Sequence, residues 1–201
     1  MSASLEFYAA TWADVSTAIG SRNLRILKSA LEIAEPDFNE LFEQQDFEGG
    51  PNLEAGLERW INGAIPLGQS QVPFRVDQLG DALGFVALVK YFGKLIGTIN
   101  HSATAGVLFR QRFLINVAQD LLAPPFPLEF LLTRPVIGYQ SLQYPYWGGL
   151  TSSELEMLSP KLKQDAPMYP EDVVIDEWIR DLWYSLGSAA DLGKDLISVY
   201  S

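Results

Sequence analysis

His101 is the only histidine of this 201-residue chain, in the run Asn100-His101-Ser102. An imidazole beside a hydroxyl is the least equipment that nucleophilic or acid–base catalysis needs. Neighbours in sequence rarely form a working dyad, because such a dyad is a matter of three-dimensional geometry. One histidine and no cysteine cannot build a multi-imidazole or thiolate metal site. Carboxylates are plentiful. Asp172 and Asp176 stand four apart, as do Glu177 and Asp181, so each pair falls on one face of a helix. A carboxylate pair can hold a hard cation or run glycoside hydrolysis. Neither the loop spacing of a calcium site nor a catalytic signature accompanies these, and a solvated acidic face is the plainer reading. No Walker loop or G-x-G-x-x-G is present. The residue types therefore name no catalytic group, no metal site and no cofactor.

The stretch 138–154, GYQSLQYPYWGGLTSSE, is different. Tyr139, Tyr144, Tyr146 and Trp147 crowd beside Pro145, Gly148 and Gly149. Tyrosine and tryptophan dominate contact surfaces because they bury much area and keep a polar handle. Turn formers predict a loop here, where apolar rings are hard to bury. Tyr139, Tyr144, Tyr146 and Trp147 are thus the candidate partner-binding residues. The alternative is a loop that folds back and plugs the core with its rings.

The elements that position these groups read as follows. Leu5, Phe7 and Ala9 alternate, which predicts a strand over residues 4–10. Thr11 with Asp14 starts a helix, and Gly20-Ser21 ends it. A second helix carries Leu24, Leu27, Ala30, Leu31 and Ala34 up to Glu35-Pro36, and Asp37 opens a third. Asn52 caps a fourth, and residues 65–73 read as loop. A long helix is predicted over 77–99, with Gly80, Gly84, Gly93 and Gly97 spaced for close helix packing. Another runs over 104–122, before Pro124-Pro125, and a short strand is expected near residues 135–139. Thr151 and Glu154 form a capping box, with Gly148-Gly149 as its flexible approach. A last helix spans 171–190, Gly193 stops it, and Leu196, Ser198 and Tyr200 alternate with Ile197 and Val199 in a final strand. The fold class is α+β: a mostly helical single domain over 1–201 with a few short strands, the first paired with the last, because a lone strand is not stable.

Composition sets the setting. Hydrophobic residues make up 48% and charged ones 19%, a globular balance. Net charge is -11, unevenly placed. Residues 1–50 hold nine acidic and three basic side chains, 51–134 six and seven, and 135–201 ten and four. Acidic ends disfavour nucleic acid and anionic membrane and attract basic partners. The N-terminus has no basic start followed by an apolar run, and the apolar stretch around Lys90 and Lys94 is too short to span a bilayer. With no cysteine, the expected compartment is the cytoplasm.

The two ends also carry a resemblance. A strand ending in Tyr8-Ala9, a helix, then Ile19-Gly20-Ser21-x-Asn23-x-x-Ile26-Leu27 resembles the opening of an uncharacterised bacterial family, catalogued as a domain of unknown function. Members often carry Asp where this chain has Asn23, and a late G-Y-L-[ST]-x-x-E segment. Here that segment is split between Ile137-Gly138-Tyr139 and Gly149-Leu150-Thr151-Ser152-Ser153-Glu154, with QSLQYPYWG between. The ending from Ala189-Ala190 through Gly193 is similar to that of the YfbM-like proteins, another uncharacterised α+β group. The resemblance implies an α+β fold and a bacterial cytoplasmic setting, and it implies no activity. Three functions stay open. One is a non-catalytic protein-binding module, of immunity or inhibitor type, for a basic partner. Another is a small hydrolase using carboxylates and His101. The third is a structural homo-oligomer subunit.

Overall fold

The computed structural model describes residues 2–42, 52–65, 76–102, 108–134 and 146–200. Its frame is a four-stranded antiparallel sheet in the order β2-β1-β4-β3. β1 is Ser2–Ala10, β2 Lys94–Ser102, β3 Tyr146–Leu150 and β4 Asp195–Tyr200. The first and last strands are neighbours, as their patterns require: Leu5 lies opposite Tyr200, and Phe7 opposite Ser198. The fold is α+β.

Alternation along each strand feeds two cores. Leu5, Phe7, Ile99, Leu150 and Leu196 face one way, and Tyr8, Ala10, Trp147, Ile197 and Val199 the other. The second face is covered by α1 (Trp12–Ala18), α2 (Leu24–Phe42), α3 (Leu53–Ile61) and α4 (Val76–Phe92). The first is covered by a π-helical segment, Leu108–Ala118, running on into α5 (Gln119–Leu122). Beside these lie α6 (Phe130–Thr133), α7 (Ser152–Leu162) and α8 (Val173–Leu192). The molecule is a sheet between two helical layers, which lets both faces of its central strands stay apolar. Among the described residues no helix is long and apolar enough to cross a membrane.

Helix starts follow local chemistry. The Thr11 hydroxyl accepts from the Asp14 N–H at 3.0 Å, and the Asn52 side chain from Ala55 N–H at 2.9 Å. Thr151 and Glu154 close the capping box in both directions. Gly193 ends α8 with φ 61°, a left-handed conformation open to glycine.

Three expected elements come out differently. The helix predicted over 77–99 stops at Phe92, and residues 94–102 form β2. An apolar run with no polar face does not distinguish buried helix from strand, and the β-branched Ile96, Thr98 and Ile99 decide for strand. Of the four glycines expected at a helix contact, Gly80 and Gly84 are there: a methyl on Gly84 would overlap the backbone of Gly56 and Leu57 in α3. Second, α2 runs through Pro36 to Phe42. Proline's fixed φ is itself helical, so the helix can continue at the loss of a hydrogen bond. Third, residues 146–150, expected as loop, are β3. Its glycines answer close approach: a methyl on Gly148 would overlap the Phe130 carbonyl of α6, and one on Gly149 the Leu196 carbonyl of β4. The strand expected near 135–139 and the loop over 66–73 lie outside the described residues.

Candidate functional site

The aromatic candidates separate by strand parity. Tyr146 and Trp147 are consecutive in β3, so they point to opposite faces. Trp147 is fully buried. Its ring lies 4.6 Å from Phe85 of α4, which in turn lies 5.3 Å from Trp60 of α3. It is core, not contact surface, because β3 directs it into the layer formed by α3 and α4. Tyr146 keeps 36% of its surface exposed. Tyr139 and Tyr144 lie outside the described residues.

Tyr146 opens a row of rings along one face of the sheet. It is paired in register with Tyr200 of β4, ring centroids 6.2 Å apart. The Tyr200 ring stacks at 5.4 Å on His101 of β2. His101 stacks at 4.6 Å on Phe109, the second residue of the π-helical segment, and meets the Trp178 ring edge-on at 5.9 Å. The row therefore joins an exposed tyrosine to a buried histidine across the sheet. Burial pushes the Tyr200 phenol above its ordinary range, and Tyr146 adds to the shift.

His101 is only 8% exposed. Its Nδ1 lies 2.8 Å from the carbonyl of Ser102. A carbonyl only accepts, so Nδ1 carries a hydrogen, and Nε2 has no hydrogen-bond partner among the described residues. The imidazole is oriented by its own strand and by stacking rather than by a carboxylate. The Trp178 indole N–H donates to the Asn100 carbonyl at 3.2 Å and pins α8 across β2.

The carboxylate pairs do not converge on it. Asp172 caps α8, accepting from the Val174 and Ile175 N–H groups at 3.1 and 3.3 Å. Asp176 accepts from the Tyr169 N–H at 2.6 Å and from Arg180, and these bonds hold its carboxyl below the usual range. Glu177 and Asp181 are exposed on the outer face of α8. Desolvation raises Asp181, and the Glu177 charge raises it further. Among the described residues no group of three or more His, Asp or Glu could hold a metal ion.

A second constellation has no signature in sequence. The Asp195 carboxylate accepts from the Trp12 N–H at 2.9 Å and from the Ser152 N–H at 2.8 Å. These are the first amides of α1 and α7, so one carboxylate ties down two helix N-termini, where negative charge is favoured. Beside it, Arg134 bonds the Glu154 carboxylate and lies over the rings of Phe130 and Trp12. Burial pushes the Glu154 carboxyl up, but Arg134 and the Thr151 N–H outweigh it and leave it lowered. The partners lie 183 and 43 residues away, so no local pattern marks Asp195.

The arrangement offers binding by aromatic contact at Tyr146 and firm structural clamping at Asp195. The chain matches no protein-family model, no curated protein and no solved structure.

Proposed function

We propose that this protein is a non-catalytic binding module, of immunity or inhibitor type, whose partner is a basic protein. The carrying observation is Tyr146: an exposed tyrosine backed by Tyr200, at the edge of an aromatic row. A ring held from behind loses little freedom on docking, which is what makes tyrosine an effective anchor. The net charge of -11 supports a basic partner, since it steers cationic surfaces toward the chain. A bacterial cytoplasmic setting, and kinship with the uncharacterised family that the two ends resemble, belong to the same proposal.

The test is capture from a lysate, identification of the retained protein, and titration of the purified pair. The expected result is a basic protein whose affinity falls on raising salt and falls at least about thirtyfold with Tyr146→Ala, the scale of a hot-spot loss. The variant must keep the native thermal transition. A partner bound equally by native and variant chains overturns the assignment of the surface, and retention of no basic protein overturns the function.

A further inference from the structure

Two helices, one in each outer layer, expose apolar side chains beside charge of opposite sign. On the outer face of α8, Val173 is 70% exposed and Tyr184 65%, and between them lie Glu177 and Asp181, both exposed. Positions 173, 177, 181 and 184 recur every three or four residues, so they form one stripe. The basic neighbour Arg180 is engaged, its guanidinium 2.6 Å from Asp176. At the start of α2, Leu24 is 74% exposed, with Arg25 and Lys28 exposed on the same face. Residues 15–31 hold Arg22, Arg25 and Lys28 and no acidic side chain, in a chain of net charge -11. Lys28 meets Glu32 at 4.0 Å with both side chains in solvent, a pair that holds weakly. α2 packs Ala30 and Ala34 into the core on one side of the sheet, and α8 packs Trp178 and Leu182 into the core on the other. The two patches therefore lie on opposite sides of the molecule.

We propose that the start of α2 of one copy docks on the outer face of α8 of the next, joining copies of this chain head to tail. Charge complementarity selects this occupant. Arg25 and Lys28 are three apart and Glu177 and Asp181 four, so each pair spans roughly 5 Å of helix axis and the two pairs can meet cation to anion. Leu24 then falls beside an exposed apolar side chain, Val173 if the helices run parallel and Tyr184 if they run antiparallel. Burial pushes the Asp181 carboxyl up and the Glu177 charge adds to it, a repulsion that an arriving guanidinium offsets. The net charge opposes assembly, but at ordinary ionic strength it is screened over about 8–10 Å, while the paired charges touch. Patches on opposite sides of the sheet make the contact heterologous, so copies add in file or close into a ring. Neither patch contains Tyr146, so the inference stands or falls apart from the proposed function.

Two double variants separate the two sides of the contact. Arg25→Gln with Lys28→Gln disables only the α2 side, and Glu177→Gln with Asp181→Asn only the α8 side. All four positions are exposed on helices, so these changes keep the fold. Light scattering of the native chain over a concentration series is expected to rise from 22.3 kDa past twice that mass. Each variant alone is expected to associate at least about tenfold more weakly. Mixed in equal amounts, the two are expected to form pairs and nothing larger, since one intact α2 start then meets one intact α8 face. A native chain that stays monomeric overturns the inference and leaves the α8 stripe to a foreign basic partner. So does a mass that stops at two copies, a variant that associates as the native chain does, or a mixture that forms no pairs.

Discussion

Trp147 and Tyr146 are adjacent and chemically alike, yet their substitutions divide sharply. Trp147→Ala removes a fully buried ring that touches Phe85, and such truncations cost about 3–5 kcal/mol. Tyr146→Ala takes away a half-exposed ring and costs about 1 kcal/mol or less. Urea unfolding of the two variants measures the contrast, and equal losses would place both rings in the core. Glu154 makes a pH prediction. Its carboxyl is lowered from an ordinary 4.5, so its stabilisation is fully present above that value and is lost as pH falls through the folded one. Glu154→Gln is expected to destabilise by about 1–3 kcal/mol at neutral pH, the loss of a charge-assisted bond. The gap to the native chain should close on acidification below 4.5; a gap independent of pH would mean that charge plays no part. The capping role of Glu154 was legible, because a capping box is a four-residue pattern. The division between Tyr146 and Trp147 was not: it depends on strand parity, and Pro145, Gly148 and Gly149 argued for no strand at all.

The elements themselves were legible where local chemistry and periodicity agreed. Thr11, Asn52, Thr151 and Gly193 mark helix ends correctly, and the alternations at both termini mark β1 and β4. Legibility failed where the deciding neighbour is distant. β2 is extended because β1 waits beside it, and Gly148 is required because α6 crosses it. Asp195 shows the same principle and carries its own prediction. Asp195→Ala strips the first amides of α1 and α7 of one shared acceptor. A loss of about 2–4 kcal/mol is expected for two charge-assisted bonds, with faster amide exchange at Trp12 and Ser152 together. Faster exchange at only one of them would show that the two helices are not coupled through this carboxylate.

The whole molecule joins an acidic chain to a four-stranded sheet held between two helical layers. Charge acts at long range, so it governs encounter with a partner more than the final complex. Raising ionic strength is therefore expected to slow association with the proposed basic partner about tenfold or more between low and physiological salt, while dissociation changes little. Stopped-flow mixing measures both rates, and a salt-independent association rate would remove charge from the recognition. The sequence made this prediction possible without the fold, since the excess of carboxylates at the two ends is a matter of counting.

The placement of β4 between β1 and β3 governs how the chain matures. A ribosome makes β1 before β3, and β4 only after α1 to α8 of the described residues have been made. Until then β1 and β3 have no strand between them, and the Asp195 clamp on α1 and α7 does not exist. The nascent protein must hold apolar sheet surface exposed through most of its synthesis, a span in which chaperones can bind it and aggregation competes. The sheet is locked only once β4 is made, so a chain that stalls before it becomes a substrate for quality control.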